Sequence, residues 1–299
     1  MSELIFQISK GSFKALARAI SLVENKVPGY KDILLNLPAS PDCIIIGITG
    51  PPGAGKSTIA DALIAEMITA DKKVGVLCVD PSSPFNFGAL LGDRIRMNKW
   101  YNHPNVFIRS LATRGSLGGL HPSIIEITDV MKAVGFDYII VETVGVGQSE
   151  VEIAGLADTT VIVLVPEAGD EVQTMKAGLM EIGNIFVVNK ADRPDADIFV
   201  RNLQQILFPS RHILRTEIAV VKTVADQHIG IDVLFEKIKS HKANENADKH
   251  YWLLTEKAYQ YIQAKRMSNI NKENLFKKIK ARSAVEHNFN LYRFIEELE

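Results

Sequence analysis

Residues 44–58 read Ile-Ile-Ile-Gly-Ile-Thr-Gly-Pro-Pro-Gly-Ala-Gly-Lys-Ser-Thr. A β-branched apolar run ends at a glycine-rich loop, and a helical pattern, Ile59-Ala60-Asp61-Ala62-Leu63-Ile64, starts directly after it. A buried strand, a glycine loop and a helix in immediate succession restrict the chain to few folds. Gly50 to Ser57 also satisfies G-x-x-x-x-G-K-[ST] at each fixed position. Backbone amides can wrap a phosphate only where no Cβ blocks the turn. The helix that follows adds its dipole and its free amides. The stretch Gly50, Pro51, Pro52, Gly53, Ala54, Gly55, Lys56, Ser57 and Thr58 is therefore the expected cradle of a nucleoside triphosphate. Lys56 would reach the β- and γ-phosphates, and the Ser57 hydroxyl would ligate Mg²⁺.

Further apolar strands follow at 74–79, 106–110, 138–141, 160–165, 185–188 and 218–221, with helical stretches at 58–70, 123–134, 171–182, 195–207 and 230–239. Such alternation predicts an α/β fold: a mostly parallel sheet sandwiched by helices, the P-loop NTPase architecture. Ligands of these sheets bind beyond the carboxyl ends of the strands, where Asp80, Glu142 and Asn189 fall. Residues 1–40 carry helical spacing punctuated by Pro28-Gly29 and form an N-terminal helical extension. The nucleotide domain spans 41–240. From 241 the chain turns polar, then helical to 299, a C-terminal extension too small for a good core of its own and a candidate dimerisation arm.

Composition excludes rather than selects. A net charge of −1 gives no reason to expect a nucleic acid or an anionic membrane as partner. No apolar stretch reaches transmembrane length, and the N-terminus lacks a signal-peptide pattern, so the cytoplasm is the default location. Cys43 and Cys78 lie in or beside apolar strands and read as buried free thiols of a reducing compartment.

Three signals refine the phosphate loop. Asn189-Lys190-Ala191-Asp192 follows a strand and fits N-K-x-D. The Asp192 carboxylate can accept from both N1–H and the exocyclic amine of guanine, and adenine would leave that acceptor unmatched. GTP is favoured over ATP. Second, Glu142-Thr143-Val144-Gly145 ends a strand where a carboxylate can hold Mg²⁺ through water and the Gly145 amide can sense the γ-phosphate. Third, Asp80 and Asp93 flank a Pro/Ser/Gly-containing loop. Asp93 is either a metal ligand or a surface partner of Arg94 or Arg96. Arg109 and Arg114 either stabilise phosphate charge or make structural pairs. Lys56, Glu142 and Asp93 are the candidate catalytic set. No water-positioning group is secure, Gln148 being a candidate by type alone, so intrinsic turnover should be slow.

Val79-Asp80-Pro81-Ser82-Ser83-Pro84, Gly92-Asp93-Arg94-Ile95-Arg96-Met97, Ile108-Arg109-Ser110 with Arg114-Gly115-Ser116-Leu117-Gly118-Gly119, and residues 141–150 occur in order. Together with Gly169-Asp170-Glu171, Lys176-Ala177-Gly178 and Asn189–Asp192, they make the stretch of about 40–240 resemble the MeaB/ArgK family, G proteins associated with methylmalonyl-CoA mutase. The resemblance implies a homodimeric GTPase that binds GTP or GDP with Mg²⁺. It further implies a chaperone for an adenosylcobalamin-dependent acyl-CoA mutase, gating cofactor loading and protecting the mutase. It maps Ser57, Asp80, Asp93 and Glu142 to the Mg²⁺ region. It makes residues 81–97, 143–155 and about 166–178 three switches, and it sets Ala225 against the guanine. Val224 departs from the Ser that often precedes that alanine. Two other readings compete: a P-loop kinase for a small molecule or transport protein, disfavoured by Asn189–Asp192, and a nickel-insertion GTPase, disfavoured because His103 and His121 have no nearby thiol.

Overall fold

The structure is a computed structural model that describes residues 2–38, 42–80, 97–114, 120–144, 149–168, 182–214, 218–241, 247–267, 270–286 and 288–298. Seven parallel strands form one sheet: β1 (Ile44–Thr49), β2 (Val74–Asp80), β3 (Val106–Ala112), β4 (Tyr138–Glu142), β5 (Thr159–Leu164), β6 (Ile185–Val188) and β7 (Ala219–Lys222). Their order is β3-β2-β4-β1-β5-β6-β7, so the strand feeding the phosphate loop is central. Register sets Ile48 and Cys78 level with Glu142 on either side of β4. Glu142 and Asp80 are thereby delivered to the same rim as the loop after Thr49.

The side-chain alternation of a strand builds two cores. Val161, Val163 and Val187 face helices α4 (Lys56–Thr69) and α8 (Ile231–Ser240), packing with Ile59, Leu63, Met67, Leu234 and Phe235. Ile162, Leu164, Phe186 and Val188 face the opposite way, against Ala154 of α6 (Ser149–Leu156) and Phe199, Leu203 and Leu207 of α7 (Ala196–Leu214). Continuous burial along β2, β4 and β5 is what a parallel sheet covered on both faces requires.

Three helices precede the sheet: α1 (Ser2–Ser9), α2 (Phe13–Glu24) and α3 (Tyr30–Leu35). The Ser12 hydroxyl caps α2 by accepting from the amide of Ala15 at 3.3 Å. Ala15, Leu16, Ala19, Ile20 and Val23 make the buried stripe of α2, which packs beside α5 (Ile124–Lys132). Phe13 stacks on Phe136 with ring centroids 5.7 Å apart. At the other end of α2, Glu24 accepts from Arg109 at 2.7 Å and Arg114 at 3.1 Å. Both arginines therefore make structural pairs, one of the two roles the sequence left open.

The chain divides into two compact units, Met1–His250 and Tyr251–Glu299. Helix α9 (Ala247–Arg266) begins in the first and continues into the second, which also holds α10 (Lys272–Val285) and α11 (Leu291–Glu296). Asn271 and Asn290 cap the last two helices, and Phe289 packs on Phe294 at 5.7 Å. Tyr251, Trp252, Tyr259, Ile262 and Phe276 are exposed. Among the described residues no helix is long and apolar enough to cross a membrane.

Candidate nucleotide-binding site

The loop after β1 is built on two glycines that no other residue could replace without distortion. Gly50 has φ +141°, and a Cβ there would meet the Val163 carbonyl oxygen at 2.1 Å. Gly55 has φ +90°, and its Cβ would meet the Asn189 amide nitrogen at 2.3 Å. Backbone, not side chain, must occupy both places. Helix α4 then starts with the Ile59 amide donating to Gly55 O at 2.9 Å. Pro52 and Gly53 are exposed at the tip, whereas Ala54, Lys56 and Ser57 are buried. The Lys56 ammonium donates to the carbonyls of Gly50 (3.0 Å) and Pro51 (3.1 Å), which holds its charge inside the loop it belongs to.

Two of the oxygen ligands expected for a cation meet directly. Ser57 Oγ donates to Glu142 Oε1 at 2.6 Å, and both side chains are buried. Asp80 is buried at the end of β2, next to β4. Beside them the hydroxyl of Thr143 donates to that of Thr49 at 2.8 Å, tying the ends of β4 and β1. A hydroxyl and carboxylates at one rim are hard donors that suit Mg²⁺. Among the described residues no cluster of three or more His, Cys, Asp and Glu side chains could hold a metal ion, and Asp93 lies outside those residues. Gly145, the expected γ-phosphate sensor, lies outside them as well, as does Gln148.

The N-K-x-D segment packs against the phosphate loop. Asn189 is 2% exposed, and both ends of its amide group are engaged. Nδ2 donates to Ala54 O at 2.9 Å, while Oδ1 accepts from Thr223 Oγ1 at 3.1 Å and the Ala225 amide at 3.2 Å. Lys190, at φ +57°, donates from Nζ to Gly53 O at 2.8 Å. The Ala191 amide donates to Thr223 O at 3.0 Å. Asp192 is exposed beyond this frame. Four expected base-site residues thus sit at one place: Asn189, Lys190 and Ala225 through contacts, Asp192 through the turn they fix. Thr223 escaped the sequence reading. The signal was available, a hydroxyl residue immediately before the Val224-Ala225 pair.

The buried Cys43 thiol is pushed up to about 12, chiefly by burial, with the carboxylates of Asp158 and Asp137 adding to the rise and Lys132 opposing it. It lies at the foot of the sheet, just ahead of β1 and at the opposite end from the phosphate loop.

A family model described as methylmalonyl Co-A mutase-associated GTPase MeaB matches residues 16–284. The chain belongs to the MeaB family. A protein of Pyrococcus abyssi whose name describes it as a GTPase is 51% identical to this MeaB-family chain over 246 residues, covering 81% of the chain and 76% of its own length. GTPase ArgK of Escherichia coli is 36% identical over 252 residues, covering 81% and 76%. The methylmalonic aciduria type A homolog, mitochondrial, of Caenorhabditis elegans is 38% identical over 208 residues, covering 64% of this chain and 52% of its own. The crystal structure of an LAO/AO transport system kinase superposes with a TM-score of 0.65 at 23% identity, covering 99% and 95% of the two chains, a likeness of fold. The MeaB-family chain is thus a P-loop protein of a GTPase family, with the loop, the strand-end carboxylates and the N-K-x-D frame on one rim.

Proposed function

We propose that this MeaB-family chain binds GTP and GDP with Mg²⁺, hydrolyses GTP slowly, and serves as a switch-like chaperone for an adenosylcobalamin-dependent acyl-CoA mutase of the methylmalonyl-CoA mutase type. In that role it gates cofactor loading and protects the mutase. One observation carries the nucleotide reading: Asn189 bridges the phosphate loop and the 223–225 turn, so the base-reading segment and the phosphate cradle form one rigid unit. The family match supports the mutase as partner.

Hydrolysis is attack of water on the γ-phosphorus, with the bond to the β–γ bridging oxygen breaking and GDP leaving. The backbone amides of 50–57 bind the phosphate oxygens. Lys56, already held over the loop carbonyls, turns its ammonium to the β- and γ-oxygens as charge develops there. Ser57, Asp80, Asp93 and Glu142 would hold Mg²⁺. When bound, the ion neutralises phosphate charge. The slow intrinsic rate, which the partner raises, follows from the sequence, where Gln148 is a water-positioning candidate by type alone. Asp192 reads the guanine edge, and Ala225 backs the base. The C-terminal helices form a dimerisation arm.

Two measurements test the reading. Lys56→Ala should weaken GDP binding more than a hundredfold. Asp192→Asn should shift base preference away from guanine; an intact preference for GTP over other triphosphates sinks the base assignment.

A further inference from the structure

The Asp192 carboxylate needs a fixed orientation to read a base, yet among the described residues it makes no hydrogen bond or ion pair. Its position must come from its neighbours in the turn. On one side the turn is fixed twice, by Lys190 Nζ on Gly53 O at 2.8 Å and by the Ala191 amide on Thr223 O at 3.0 Å. On the other side the Arg193 amide closes the turn on Lys190 O at 3.1 Å, and the Arg193 guanidinium pairs with Glu167. Glu167 lies in the short turn Pro166–Ala168 that leaves β5. The two segments already meet through the backbone, with the Asn189 amide donating to Leu164 O at 2.8 Å. The Arg193 hydrogen bond, followed by weaker contributions including the charge of Lys190, holds the Glu167 carboxyl below its ordinary value. Both side chains are about half exposed, so the pair contributes little to folding. A weak, exposed pair at this point earns its interest from what lies next to it, the one base-reading carboxylate with no support of its own.

We propose that Glu167 and Arg193 form a positioning pair for base recognition, holding Asp192 in its reading orientation and tying the guanine-reading turn to the chain that leaves β5. The inference rests on the guanine reading above. It makes base occupancy and the Pro166–Ala168 turn mechanically linked, through a contact that involves no phosphate.

The test is a double-mutant cycle read as affinity for GDP and for IDP, which lacks the exocyclic amine that Asp192 accepts from. E167A and R193A should each weaken GDP binding about threefold, the scale of an exposed ion pair, with a smaller effect on IDP. The double variant should be no worse than either single one, and E167R combined with R193E should regain most of the loss. The effect should fade in molar salt. Additive losses, equal losses for GDP and IDP, or a charge swap that rescues nothing overturns the pair. Far-UV circular dichroism on each variant checks that the fold is intact. Wild-type preference for GDP over ADP is measured alongside. Its absence overturns the guanine reading and the pair with it, whereas its presence with an additive cycle overturns the pair alone.

Discussion

At the scale of single residues, the site is held by a few groups with no slack. Asn189 uses its amide nitrogen on Ala54 O and its amide oxygen on Thr223 and Ala225. Asn189→Ala strips three partners at once and leaves buried polar groups unmatched, which costs about 3 kcal/mol. Thermal or urea unfolding should show that loss, together with weakened guanine nucleotide binding. Gly50→Ala drives a methyl onto the Val163 carbonyl and should destabilise by about 3 kcal/mol or prevent folding. Cys43 offers a pH test. Its thiol titrates near 9 when exposed and is pushed up to about 12 in the fold. The folded chain therefore keeps the proton better, and this contribution to stability is complete below pH 9 and lost as pH climbs towards 12. At pH 9, iodoacetamide should modify Cys43 in the native protein far more slowly than in urea, with peptide mapping as the readout; equal rates would contradict its burial. Much of this chemistry was legible in residue types. Gly50–Ser57 and Asn189–Asp192 announced phosphates and guanine. Asn189's reach back to Ala54, 135 residues away, was not legible, because no local pattern encodes a contact made by tertiary packing.

Elements were read well where burial is continuous and less well at their ends. The expected strands at 74–79 and 138–141 each extend one residue further, to Asp80 and Glu142. Both are charged residues that a hydrophobic pattern stops short of, and the ladder carries them because their neighbours still pair. The helix expected over 58–70 is Lys56–Thr69, since the motif residues themselves take helical conformation. The helix expected at 171–182 lies almost wholly outside the described residues. Nothing in the sequence showed that Arg109 and Arg114 would meet Glu24, more than 80 residues earlier in the chain. That clamp fastens the end of α2 to β3, and its carboxylate is largely buried. Glu24→Gln should cost about 1–2 kcal/mol, the worth of hydrogen bonds to a charged group. Hydrogen exchange in α2 should rise, while nucleotide affinity stays as in the wild type. Unchanged exchange would show that the packing of Phe13 and Ile20 suffices without the clamp.

For the molecule as a whole, the sheet order puts β1 at the centre, with Glu142 at the end of its neighbour β4, Asp80 at the end of β2 beyond it, and Asn189 after β6 on the other side. The loop that opens the chain's nucleotide domain is braced on one side by Glu142 and on the other by Asn189. Side-chain hydrogen bonds thus join the phosphate loop and the start of its helix directly to the ends of β4 and β6. Such a design suits a sensor as well as a catalyst, and the partner proposed to read it is the mutase that the family's description names. The most direct measurement is GTP hydrolysis by the purified chain, alone and with an adenosylcobalamin-dependent acyl-CoA mutase from the same source. The account predicts slow turnover alone, a nucleotide-dependent complex, and at least roughly tenfold stimulation by the mutase, within the range that completing a phosphoryl-transfer site can supply. No complex with either GDP or a non-hydrolysable GTP analogue, and an unchanged rate, would contradict it.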